Sequence, residues 1–169
     1  MNTDAVLFEK LNITIRRNEP KDDAQIEKLI RFCLVEFDGV RENTAWHHPY
    51  LGRFSEVYNR ENNAYWVAVD ANDKVVCGVG IGPLEGAPGI CELQKMYTYP
   101  EYRGTGLAQK MLSIALDFAK EHYDKCYLET FANMLQAHAF YKKNGFEIID
   151  SFIGDTGHHG CEVKMIKEL

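Results

Sequence analysis

The hydrophobic positions of this chain follow two periods, and the switches between them mark its elements. Residues 13–17 (ITIRR) alternate apolar and polar, as a half-buried strand should. Pro20 then opens a helix, with Glu19, Asp22 and Asp23 suited to its positive end. Ile26, Leu29, Ile30, Cys33, Leu34 and Phe37 recur at helical spacing until Asp38-Gly39 stops it. Residues 40–60 carry no clear period and read as a short helix flanked by loops. Residues 64–69 (AYWVAV) and 75–81 (VVCGVGI) are strands joined by a hairpin turn at 71–74, and 90–99 is extended after a second turn at 86–89. Leu107, Met111, Ile114, Ala115 and Phe118 share one helix face. A strand at 126–131 and a helix at 134–143 follow, the helix ended by Asn144-Gly145. Strands at 146–152 and 161–166 close the chain around a loop rich in Gly and His. The order β-α-α-β-β-β-α-β-α-β-β predicts an α+β fold with a mixed sheet.

Composition narrows the function. The chain has 169 residues, with no internal repeat or linker, so one domain over 1–169 is expected. Hydrophobic residues at 46% and charged residues at 26% fit a soluble globular protein. No apolar run approaches the ~20 residues of a membrane helix, and the first residues lack a signal-peptide pattern. Five widely spaced cysteines without a C-x-x-C read as reduced thiols in a cytoplasmic protein. The net charge of −6 argues against nucleic acid as a partner. An anionic ligand would need a local positive site.

The stretch YRGTGLA (102–108) supplies one. It places two glycines between an extended segment and a helix. The first N–H groups of a helix lack internal partners, and the helix dipole makes that end partly positive, so phosphate oxygens bind there. Glycine lets the backbone approach the ligand. Leu107 after Gly106 excludes a P-loop, and Gln109 stands where the Rossmann fingerprint needs its third glycine.

Arg103-Gly104-Thr105-Gly106-Leu107-Ala108 matches [QR]-x-x-G-x-[GA], the acetyl-CoA signature of the GNAT superfamily (GCN5-related N-acetyltransferases), and Tyr99-Pro100-Glu101-Tyr102 resembles its usual lead-in. Ala137 to Phe146 (AHAFYKKNGF) resembles the family's A-x-x-x-Y-x-x-x-G-F block. The chain is thus similar to a small bacterial single-domain GNAT protein. The resemblance implies a mixed, mostly antiparallel sheet of six to seven strands flanked by about four helices. It also implies acetyl transfer from acetyl-CoA to a primary amine by direct attack.

The resemblance further implies roles. The pyrophosphate would sit on the N–H groups of Arg103, Gly104, Thr105, Gly106, Leu107 and Ala108, with Arg103 adding charge. A backbone N–H of Met96, or of Tyr97 next to it, would polarise the thioester carbonyl. Tyr141 would be the general acid for the leaving thiolate, and Lys142 would meet the 3′-phosphate. The family often carries an Asn seven residues before this Tyr; Met134 stands there, and the neighbouring Asn133 takes its place as a candidate cofactor contact. Glu92 resembles the catalytic base of some members. Period-two alternation puts its side chain on the face of Met96, roughly 13 Å away along the strand, and burial would raise its pKa towards neutrality.

Trp46, His47, His48, Tyr50 and His158 are candidates for acceptor contact, because the segments that hold them resemble those lining the family's acceptor pocket. Metal binding is not expected, since the paired histidines have no zinc-site spacing. The acceptor is open between a small-molecule amine and a protein amine. A homodimer, a longer acyl-CoA donor and a non-catalytic acetyl-CoA-binding sensor are also compatible with the resemblance.

Overall fold

The computed structural model describes residues 5–157 and 159–169. Among them are eight strands: β1 (Val6–Phe8), β2 (Ile13–Arg17), β3 (Ala64–Val69), β4 (Val75–Pro83), β5 (Ile90–Thr98), β6 (Lys125–Thr130), β7 (Glu147–Ile149) and β8 (Val163–Glu168). The helices are α1 (Asp23–Glu36), α2 (Phe54–Val57), α3 (Leu107–His122) and α4 (Leu135–Lys143). The strands form one sheet in the order β1-β2-β3-β4-β5-β6-β8-β7. Every pair is antiparallel except β5 with β6. The fold is the expected α+β arrangement with four helices.

The strand beyond the expected seven is β1, which pairs with β2 over three residues. Three residues are too few to show a period in the sequence. The first long helix begins with a 3-10 turn over Pro20–Asp22, closed by reciprocal bonds between Glu19 and Asp22. The Asp22 carboxylate, fully buried, also accepts from Arg16 at 2.6 and 3.1 Å, which ties the turn to β2. The strand expected over 146–152 shrinks to β7, because Phe146 turns into the core. The last strand starts at Val163 rather than at 161, where the Cys161 side chain closes a recess beside β5.

Two apolar layers hold the sheet. On one face α3 buries Leu107, Met111, Leu112, Ala115, Leu116 and Ala119 against β3 to β6, together with Tyr141 of α4. On the other, α1 and Phe54 of α2 pack over Tyr65, Val67 and Val69 of β3. A fully buried leucine contributes about 1.5–3 kcal/mol by transfer alone, so these layers fix the positions of the loops between them.

Candidate functional site

The site lies along β5, and the two sides of that strand differ. Towards β4 the pairing runs from Cys91 to Thr98. Towards β6 it covers only Ile90, Cys91 and Glu92, opposite Lys125, Cys126 and Tyr127. Beyond Glu92 the two strands part, although β6 stays paired with β8 as far as Thr130. A V-shaped opening results in the middle of the sheet. Leu93, Lys95, Met96 and Tyr97 border it on one side and Leu128, Glu129 and Thr130 on the other, with Tyr141 and Met134 across the gap.

One end of this opening widens into an apolar cleft of about 240 Å³, between α1 and α4. Met96, Tyr97, Arg103, Gly104, Ala108 and Tyr141 line it. Cys33, Phe37, Thr98, Met134, Gln136, Ala137 and Phe140 complete the wall, and none of these seven stood among the expected site residues. The glycine loop forms the floor. Gly104 (φ +70°) and Gly106 (φ +94°) occupy left-handed backbone, and a Cβ on Gly104 would meet nothing within 4 Å. The space beside the loop is therefore open to a ligand. Among the described residues the N–H groups of Gly104, Thr105, Gly106 and Ala108 have no backbone acceptor. This is the donor set a diphosphate needs.

Individual loop residues divide their work. Thr105 uses its hydroxyl internally, donating to Tyr102 O at 2.7 Å and accepting from Leu107 N at 3.3 Å. The Leu107 side chain is in the core, and its N–H is the one that Thr105 takes. Arg103 differs from the expectation that it adds charge to the cradle. Its guanidinium donates to both oxygens of Glu36 at 2.6 and 2.8 Å and to Thr98 O at 2.9 Å. Its charge is thus matched by a carboxylate, and the side chain anchors the loop to α1 and β5. Lys10 Nζ donates to Thr105 O at 3.2 Å from the turn after β1. Asn133 donates through Nδ2 to Phe37 O at 2.9 Å and lies outside the cleft, beside Met134. Lys142 is exposed on α4 and does not line the cleft.

The other end of the opening narrows to a recess of about 40 Å³ lined by Ala45, Glu92, Leu93, Lys95, Tyr97, Glu129, Phe131 and Cys161. Glu92 is 6% exposed. Gln94 Nε2 donates to its Oε2 at 2.9 Å, and Tyr58 OH donates to Gln94 Oε1 at 2.6 Å. Burial pushes the Glu92 carboxyl up to about 7; the Lys95 ammonium, the Gln94 bond and His159 pull it back, while Glu129 adds to the rise. The Glu129 carboxylate is itself fully enclosed and accepts from Tyr127 OH at 2.8 Å and Thr156 Oγ1 at 3.1 Å. His159 Nδ1 lies 3.6 Å from it.

The expected sharing of one face by Glu92 and Met96 does not hold. β5 contains a bulge: Gly78 pairs with Tyr97 and Gly80 with Gln94, so Val79 alone stands opposite both Lys95 and Met96. One extra residue inverts the alternation. Met96 packs with the core under α3, whereas Tyr97 packs with the layer under α1. Glu92 lines the recess while Met96 lines the cleft.

The acceptor candidates separate as well. His48 is half-buried, and burial with the Lys95 ammonium pushes its pKa down to about 4. Trp46 is covered by the Arg31 guanidinium, 4.6 Å from its ring. His47 and Tyr50 are exposed, and neither lines the recess. His158 lies outside the described residues. Lys95 and Glu129 were missed by sequence reasoning. The available signal was a charged residue inside an apolar strand, as in 125–130 (KCYLET).

Residues 25–146 match the model of the acetyltransferase (GNAT) family. The chain is 42% identical over 159 residues to an uncharacterized N-acetyltransferase, YjgM, of Escherichia coli (strain K12), covering 92% of this chain and 94% of that one. An acetyltransferase from Streptococcus agalactiae superposes with a TM-score of 0.78 at 24% identity, over 93% of this chain and 98% of that one. A PaiA N-acetyltransferase from Thermoplasma acidophilum, solved in complex with coenzyme A, superposes with a TM-score of 0.65 at 19% identity, over 93% and 99%.

Proposed function

The chain belongs to the acetyltransferase (GNAT) family, enzymes that use acyl-CoA, and from that premise we propose that it moves an acetyl group from acetyl-CoA to a small primary amine, within one domain spanning 1–169. The observation that carries this reading is the parting of β5 from β6 after Glu92, which joins an apolar cleft floored by unpaired N–H groups to a recess holding a near-neutral carboxyl.

The residues present fit the donor. The N–H groups around Gly104 to Ala108 suit the diphosphate, with the positive end of α3 behind them. The pantetheine arm fits the open edge of β5 as an added strand would. An N–H of Met96, or of Tyr97, is then available to the thioester carbonyl; one such donor is worth about 3–4 kcal/mol in the transition state. Bound acetyl-CoA supplies the electrophilic carbonyl carbon.

Glu92 accepts a proton from the acceptor's ammonium. The freed amine attacks the carbonyl carbon, a C–N bond forms, and the C–S bond breaks. Tyr141 gives its hydroxyl proton to the departing thiolate, and the second proton that the nitrogen loses as the amide forms returns to the tyrosinate. Its buried position keeps the phenol protonated, since burial raises its pKa well above the ordinary tyrosine value. The recess, at about 40 Å³ against about 240 Å³ for the cleft, is the smaller end of the opening, and the acceptor's amino group would enter it. The acceptor's remaining atoms would then lie outward, towards His48 and the segment that holds His159.

The test is thiol release from acetyl-CoA with a panel of aliphatic amines, diamines, amino acids and a lysine peptide, for the wild type and Glu92→Gln. Turnover with at least one small amine, lost in Glu92→Gln, is expected. Turnover with the peptide alone would sink the small-acceptor reading. Tight binding of acetyl-CoA without turnover on any amine would point to a sensor.

A further inference from the structure

Lys95 stands three residues after Glu92 on the same strand. In an unbroken strand an odd separation puts two side chains on opposite faces. Here both line one recess, and Lys95 also borders the opening that leads to the cofactor cleft. The bulge accounts for this. Lys95 has φ +49°, left-handed backbone that costs a non-glycine residue roughly 1–2 kcal/mol. The surroundings hold it there. Tyr65 OH donates to Lys95 O at 2.8 Å. Tyr65 reaches that carbonyl across Gly78 and Gly80. A Cβ on Gly78 would overlap the Tyr65 hydroxyl, and one on Gly80 would come within 2.8 Å of its ring. A strained residue fixed by its neighbours beside a candidate catalytic group is a pointer to function.

We propose that Lys95 is a positioning residue for the transfer reaction: its ammonium, presented by the bulge between cleft and recess, holds the Glu92 carboxylate ionised and ready for the acceptor's proton. The inference rests on Glu92 being the base. The groups that act on Glu92 are Lys95 and Gln94 on β5, Glu129, Tyr127 and Cys126 on β6, His159 on the loop before β8, and Tyr58 after α2. Lys95 itself faces Glu92, Glu129, Cys161 and, from the segment before α2, His48. Burial pulls Lys95 below the ordinary lysine range, and Glu92, Cys161 and Glu129 pull it back. Of the influences that oppose the burial of Glu92, Lys95 is the largest. Without it, burial and Glu129 both act to protonate Glu92, and the ionised fraction at neutral pH falls. A merely structural lysine would leave that balance alone.

The experiment follows the pH dependence of kcat/KM in the wild type, Lys95→Met, Lys95→Arg and Glu92→Gln, together with a carbon-13 NMR titration of the Glu92 carboxyl in the free protein. Thermal melts confirm folding, and Lys95→Gln replaces the methionine variant if that one does not fold. In Lys95→Met the acidic limb and the carboxyl midpoint should both move up by about one pH unit, with the rate recovering on the alkaline side. Lys95→Arg should keep the wild-type limb. A limb and a midpoint unchanged in Lys95→Met would overturn the inference while leaving Glu92 as base. An acidic limb that survives in Glu92→Gln would overturn the base reading instead, and the positioning role with it.

Discussion

The cleft and the recess open from the same gap in the sheet, yet they are built from different materials. The cleft is an apolar trough that offers backbone donors at its floor: glycines in left-handed conformation, the start of a long helix, the free edge of β5. The recess takes its chemistry from enclosed side chains, with Glu92, Lys95 and Glu129 within a small volume. Backbone recognition suits a ligand that never changes. Side-chain recognition, tuned by burial and neighbouring charge, suits the partner that gives one enzyme its own substrate.

Substitutions in the two regions should therefore fail differently. The largest loss is expected for Glu92→Gln, which removes the proposed base. Its kcat should fall about 10²–10⁴-fold with KM for acetyl-CoA little changed, and steady-state kinetics checks this. In the wild type, kcat/KM should rise with pH through about 7 and then level off, because Glu92 accepts a proton only when ionised. A flat profile there would contradict the assignment. Tyr141→Phe should cost less, on the order of 10²-fold in kcat. Its effect should shrink with a thioester whose thiol is more acidic, since a better leaving group needs less help from the acid.

The smallest effects test the scaffold. Gly78→Ala should destabilise by about 1–3 kcal/mol, because the new methyl displaces Tyr65 from Lys95 O; denaturant unfolding reads this directly. Arg103→Gln removes a partly exposed pair with Glu36 and should cost about 1 kcal/mol or less. If acetyl-CoA affinity instead fell a hundredfold while stability held, Arg103 would be a phosphate ligand rather than an anchor.

The same difference between the regions decides what the sequence could reveal. The cleft was legible because backbone sites leave marks: Gly104 and Gly106 at fixed spacing, a proline before them, and Tyr141 in a block with its own glycine. Most strands and helices showed through their periods for a related reason, one face being buried. The bulge at Lys95 left no such mark. It is fixed by Tyr65, thirty positions earlier, and by the room above Gly78 and Gly80. A single added residue then moved Met96 to the face opposite the one alternation predicted. Glu129 joins the recess only because β6 diverges from β5, and strand divergence is a property of pairing between distant segments. The charge of Arg103 could be read from the sequence; its commitment to Glu36 could not.

Calorimetric titration of acetyl-CoA and CoA into the wild type and Gly106→Trp tests most directly the claim that the parted strands and the glycine loop form one donor site. Micromolar binding by the wild type, lost in a Gly106→Trp protein that still melts cooperatively, is the predicted result. Equal binding by both would contradict the account, as would a folded wild type that takes up neither ligand.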